Sequence, residues 1–280
     1  MVFFAQIISW VNVLTNAFGR FFLAPIAVLP GWLSNTIISA VTGVCLLVIF
    51  KYTSNQRAIG KIRDDIKANL LALKLFKDSI SVTLHAEVCV FKGALLLLVQ
   101  AIPPILVMIL PVSLLLAQMS LWYQFRPLLP GEVAVMTVKL NDNVERNWPI
   151  VNIEPTSVAE VTVGPVRILS RHQICWEIKA LENGKHHIIL DVNGRQIEKD
   201  LVIGAGFMRV SPSRPASNWA GILVNPAEEP FAPDSIVQSV TIDYPKRLSK
   251  TSGADWWLIY FFAASMLFAL ILRPFVKVRI

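Results

Sequence analysis

The chain has 280 residues, of which 54% are hydrophobic and 16% charged, with a formal net charge of +7; that is too apolar for a soluble domain of this size. The basic excess is local: eight Lys and Arg stand against four Asp and Glu between 51 and 92, and Arg273, Lys277 and Arg279 close the chain, whereas 121–254 carries fourteen of each sign. This is the positive-inside pattern of a membrane protein, and it argues against a DNA-binding surface.

Met1 is followed at once by Val2, Phe3 and Phe4 with no basic n-region, so the start does not read as a cleaved signal peptide. Gln6, Ser9, Asn12 and Asn16 recur at helical spacing, while Phe4, Ile7, Val11, Leu14 and Phe18 line another face. Residues 1–32 are therefore expected to form an amphipathic segment lying in the membrane interface, interrupted by Pro25 and Pro30. A fourth spanning helix is the competing reading.

The first clear span is 33–50, closed by Lys51 and Tyr52 at one interface. Within it, Asn35, Ser39 and Thr42 are spaced four and three apart and share one face. Such a face serves either as a small-residue contact with a neighbouring helix or as the wall of a hydrated groove.

Residues 51–89 read as a basic helical arm. Ser54 is the expected N-cap, and Ile59, Ile62, Ile66, Leu70, Leu73, Phe76 and Ile80 follow at steps of three and four, predicting an amphipathic helix of about eight turns. Arg57, Lys61, Arg63, Lys67, Lys74 and Lys77 occupy mainly its other faces. There they dock onto anionic headgroups or another partner, or simply solvate a coiled-coil arm.

The second span, 90–118, is long and interrupted by Pro103, Pro104 and Pro111. Each proline removes an amide donor, which predicts a kink or an unwound turn. Gln100 sits one turn before that break and joins Asn35, Ser39 and Thr42 as a groove candidate.

From 119 to 254 the pattern is β. Trp122 and Tyr123 mark the interface, and Ile174, Trp176 and Ile178 alternate with Cys175, Glu177 and Lys179. Asn183-Gly184 and Asn193-Gly194 each sit between alternating runs and predict hairpins. With further strands at 133–140, 158–163 and 236–244, the best fit is an antiparallel sandwich of immunoglobulin-like type, while the proline-rich 211–233 reads as loop. The last span is 255–272, with Trp256, Trp257 and Tyr260 as an aromatic anchor and a basic tail at 273–280. Positive-inside orientation then places the arm and the C-terminus in the cytoplasm, and the N-terminus and the β domain outside a plasma (inner) membrane. The fold class is an α-helical membrane protein of three spans with an inserted all-β domain.

Catalytic motifs are missing: GxSxG, GxGxxG and HExxH do not occur, and Gly204-Ala205-Gly206 is a glycine-bearing turn at a strand end. No Asp, Glu, Lys or Arg stands at mid-depth of a span, which argues against a proton relay or an ion-coupled transporter. His186 and His187 are adjacent in a strand and point to opposite faces, so no metal site is expected, and Cys45, Cys89 and Cys175 give no disulfide framework. The chain reads as a non-enzyme without cofactor.

An interfacial helix, an inward span, a basic helical arm, an outward span and a final inward span together resemble the YidC-type membrane insertase superfamily, particularly its compact three-span members. The likeness is one of topology over 3–118 and 256–273. It implies a groove open to the cytoplasm and lipid, and an arm that meets a ribosome or a nascent membrane protein. Two features depart from the family: 33–50 lacks the groove arginine of bacterial members, and the β domain is an insertion. A biogenesis factor is the leading expectation. The alternative is a structural subunit whose β domain binds an extracytoplasmic protein.

Overall fold

The computed structural model describes residues 13, 15–17, 19, 21, 23–76, 79–141, 148–276 and 278. Of the interfacial segment expected at 1–32, residues 1–12, 14, 18, 20 and 22 fall outside these residues. The chain divides into two compact units, Met1–Asn35 with Ser113–Tyr260, and Thr36–Val112 with Phe261–Ile280.

Among the described residues three helices are long and apolar enough to cross a membrane: α1 (Gly31–Thr53), α3 (Ile80–Tyr123) and α5 (Trp257–Val276). Between the first two lies α2 (Gln56–Leu75). The chain is a multi-pass membrane protein with a separate antiparallel β region.

The arm differs from the single eight-turn helix expected. Helix α2 starts one residue later than Ser54 would allow, because Asn55 is the N-cap and accepts from the Ala58 amide at 3.1 Å. It stops at Leu75, with Phe76 as C-cap. The following helix then runs 44 residues without interruption, through Pro103, Pro104 and Pro111. No boundary at 89/90 separates arm from span, since nothing between Ile80 and Gly93 disfavours helix. The expected proline break does not interrupt the helix either. Each ring forfeits one hydrogen bond, to the carbonyl four residues back, and the bonds on either side keep the backbone helical. At 1.5 Å per residue α3 is about 66 Å long, roughly twice a hydrocarbon core of ~30 Å. A large part of it therefore lies outside the apolar layer.

Within the helical unit α2 and α3 meet at Gly93, where an added Cβ would lie 2.5 Å from Ile66 Cγ1. Ile59, Gly60, Ala86 and Gly93 are buried in this pairing unit. Helices α1 and α5 approach more closely still: a Cβ on Gly43 would sit 2.3 Å from the Ser265 carbonyl oxygen.

The β region has a five-stranded sheet in the order β3 (Ala159–Ile168), β4 (Gln173–Ala180), β1 (Val133–Leu140), β8 (Val237–Ile242), β7 (Ser213–Arg214). A three-stranded sheet follows the order β2 (Val151–Ile153), β5 (Gly184–Val192), β6 (Arg195–Ile203). All paired strands are antiparallel. The alternation read in β4 turns Ile174, Trp176 and Ile178 into a core shared with Met136, Val138, Leu190 and Leu201.

Of the two Asn-Gly turns only one closes a hairpin. At Asn193-Gly194 both residues have positive φ, 51° and 82°, and β5 pairs with β6 directly. Asn183-Gly184 instead carries the chain from β4 in one sheet to β5 in the other. Gly184 at φ 144° takes a conformation that redirects the chain and that a side chain would resist. The stretch expected to be loop holds β7 and the short helix α4 (Trp219–Val224), capped by Asn218.

Candidate functional site

The polar face of α1 is buried. Asn35 is fully enclosed, and its Nδ2 donates to the carbonyls of Thr251 at 2.7 Å and Trp257 at 3.2 Å. One buried amide thereby ties the start of α1 to the start of α5. Beside it, the Ser34 and Tyr123 hydroxyls lie 2.8 Å apart, and Tyr123 stacks on Trp257 with centroids 6.1 Å apart. Phe207 meets Tyr123 edge-on at 5.8 Å and carries the Arg247 guanidinium 4.0 Å above its own ring. Burial pushes the Arg247 pKa down from its usual value. In the helical unit Ser39, Thr42 and Gly43 are buried, and Gly43 lies against the Ser265 backbone of α5. Ser39 and Gly43, four residues apart, form the small-residue stripe that lets two helix backbones approach. Asn35, Ser39 and Thr42 of the groove candidates are thus buried in the structure.

Gln100 is half-buried on α3 and lies on that helix's more enclosed face, in register with Ala86, Gly93, Leu97 and Pro104. Up to Pro111 most of the rest of α3 is exposed in the protein itself, Leu96, Val99, Leu106, Val107 and Leu110 included. Leu84, Val88, Phe91, Leu95, Leu98, Ile102, Ile105 and Ile109 are each between 48 and 67% exposed. Their steps alternate four and three, so they form one continuous stripe that winds slowly around the helix, by about 20° per heptad. Only 6% of α3's most apolar window is buried, against 28% for α1, so this is where the spans have surface to offer. Single-sequence reading missed the seam because every face of a spanning helix is apolar; its signal lay in the 3.5-residue repeat continuing from the arm into the span.

Arg57, Lys61, Lys67 and Lys74 of the proposed docking set are exposed, and Arg63 is half-buried. Lys77 falls outside the described residues. Lys67 lies 3.9 Å from Asp64 with both side chains well exposed, a pairing worth little in water.

The β region contains a buried ion pair that composition did not reveal. Lys199 is 0% exposed; its Nζ donates to Glu228 Oε1 at 2.6 Å and to the Ser211 carbonyl at 2.8 Å. Desolvation lowers the Lys199 pKa, opposed by the Glu228 carboxylate. Glu228 also accepts from the Asp200 amide and the Ser211 hydroxyl. Together with Arg214 on the Glu198 carbonyl and Tyr244 on the Val202 amide, these groups close the outer edge of β6. Arg126 and Glu132 form a second, two-pronged pair at 2.8 Å on both arms; Arg126 holds the Glu132 carboxyl below its usual range.

Among the described residues no group of three or more His, Cys, Asp or Glu is arranged to hold a metal ion. The chain matches no protein-family model, and comparisons with curated proteins and with solved structures give no match.

Proposed function

We propose that the chain is a membrane-protein insertion or biogenesis factor resembling the YidC-type insertases. The observation that carries this reading is α3: one helix runs from the last residues of the arm, after the break that ends α2, into the span and leaves apolar residues exposed along both parts. Exposed apolar surface outside the hydrocarbon marks an interaction site. A hydrophobic nascent segment caught on Leu84, Val88 and Phe91 passes along Leu95 and Leu98 into lipid without leaving an apolar contact. Its hydrophilic flank passes near Gln100, which lowers the cost of moving polar groups through the apolar layer. The cations Arg57, Lys61, Lys67 and Lys74 orient the arm toward anionic headgroups or the ribosome. In this reading the arm and C-terminus are cytoplasmic in a plasma (inner) membrane, and the two sheets form an immunoglobulin-like sandwich on the other side. Photocrosslinkers at Val88, Phe91 and Leu95 should trap a short-tailed membrane protein during its synthesis, while one at the buried Ala86 should not. Adducts at neither Val88 nor Phe91 would sink the proposal.

A second reading rests on a different observation. The edge strand β3 is exposed along nearly its whole length, with Val161, Val163 and Val166 exposed, and Val133 and Val135 of β1, one strand further in across β4, are exposed as well. An apolar edge of this kind suits a structural subunit that binds a protein outside the membrane. Recovery of full-length chain with ribosomes favours the first reading; recovery with an extracytoplasmic protein, lost on Val163→Lys, favours the second.

A further inference from the structure

A cleft of about 540 Å³ opens in the unit that carries the sheets, between the end of α3 and the β5–β6 hairpin. Its walls combine two chemistries. Trp122, Ala24 and Ala27 supply apolar surface, and Lys185, His187 and Arg209 supply donors. The volume lies within the usual range of small-ligand sites, roughly 300–1,000 Å³.

Charge and depth identify the ligand. Among the described lining residues Lys185 and Arg209 face one carboxylate, Asp200, which already lies 2.9 Å from His187 Nδ1. The Arg209 guanidinium is held in place by neutral groups, with Nη2 donating to Asn16 Oδ1 at 2.6 Å and Gln118 Oε1 at 3.2 Å. Gln118 in turn donates to Asn16 Oδ1 at 2.8 Å, so two amide side chains, themselves linked, brace one cation. The depth follows from the chain: Trp122 is the penultimate residue of the spanning helix α3, and Ala24 and Ala27 stand just before α1 begins at Gly31. The apolar run of α3 gives way at Gln118, one turn before Trp122, and α1 begins one turn after Ala27, which sets the cleft near the level of lipid headgroups. A lining that is apolar on one side and cationic on the other matches an amphiphile with an anionic head.

We propose that this cleft binds the phosphate headgroup of an anionic phospholipid from the leaflet on the β-region side, with Lys185 and Arg209 as its cationic contacts. The proposal rests on the three-span membrane reading and not on insertase activity. Zwitterionic lipid is disfavoured because, among the described lining residues, the single carboxylate Asp200 stands against the cations Lys185 and Arg209, so the lining favours an anionic head.

The test is native mass spectrometry of the full chain in detergent, offered phosphatidylglycerol and phosphatidylcholine in equal amounts. The parent should retain phosphatidylglycerol preferentially. Lys185→Gln, at an exposed position on β5, should reduce that retention by about fivefold, the loss expected for one cation near an anionic headgroup, and Lys185→Arg should restore it. Lys61→Gln with Lys67→Gln, on the arm, should leave it unchanged. Equal retention by the parent and Lys185→Gln overturns the proposal, as does loss confined to the arm variant. Displacement of the lipid by millimolar inorganic phosphate also overturns it, because the cleft is then a site for a free anion.

Discussion

Replacing Glu228 by Gln removes the carboxylate to which Lys199 Nζ donates, leaving the carbonyls of Ser211 at 2.8 Å and Asp200 at 3.3 Å. Because Lys199 is 0% exposed, water cannot take the place of the carboxylate. Breaking a buried pair on one side typically costs about 3–5 kcal/mol. For a folded unit of this size roughly 2–4 °C accompany each kcal/mol, so the melting transition of the full chain in detergent should fall by about 6–20 °C. The double variant Lys199→Met with Glu228→Leu should recover part of the loss, since no charge then remains buried, while the Asp200 amide and the Ser211 hydroxyl lose their acceptor. The pH dependence has a definite sign. Lys199 has a folded-state pKa below its usual 10.5, so between the two values the unfolded chain binds more protons and stability rises with pH. The Glu228→Gln deficit should therefore shrink as pH is raised toward 10.5. Differential scanning fluorimetry reads all three quantities. An unchanged transition in Glu228→Gln, or a double variant as unstable as the single one, would refute the reasoning.

Three further outcomes are expected. Gly43→Ala places a Cβ 2.3 Å from the Ser265 carbonyl, which must retreat by about 1 Å; overpacking of this kind costs about 1–3 kcal/mol, seen as a lower melting transition. Glu132→Gln should cost only about 1 kcal/mol, because the Arg126 and Glu132 side chains are 33% and 27% exposed. The lowered Glu132 pKa means that its contribution is present above the ordinary glutamate range and lost as pH falls through the folded value, so parent and variant should converge in acid. In a chain freed of Cys45, Cys89 and Cys175, Ser79→Cys should resist a membrane-impermeant thiol reagent in intact cells and Arg195→Cys should react; the opposite pattern removes the cytoplasmic arm.

The three apolar helices and the separate antiparallel β region were readable because each rests on a one-dimensional pattern, a long uncharged run or a period-two alternation. Strand β1 was legible to the residue, since Val133 to Leu140 alternates cleanly between faces. What pattern could not supply was a choice among tertiary partners. Asn35, Ser39 and Thr42 share a face on any helix, but only the fold sets Asn35 against the Thr251 and Trp257 carbonyls and Gly43 against the backbone of Ser265. Asn183-Gly184 carries the same turn signal as Asn193-Gly194, and the difference lies in which sheet the next strand joins. The prolines of α3 obey their local rule by losing three donors, yet the 44-residue helix around them absorbs the loss. Lys199 and Glu228 are 29 residues apart and look like ordinary surface charges until the fold buries them together.

Insertion itself tests the central claim most directly. Proteoliposomes containing the full chain should insert a single-span client with a short translocated tail, scored by protease protection of that tail, well above protein-free liposomes. Val88→Asp with Phe91→Asp, which charges the exposed seam of α3 without touching its packed face, should return insertion to the protein-free level while the melting transition stays unchanged. Equal protection with and without the chain, or full insertion by the charged-seam variant, would contradict the account.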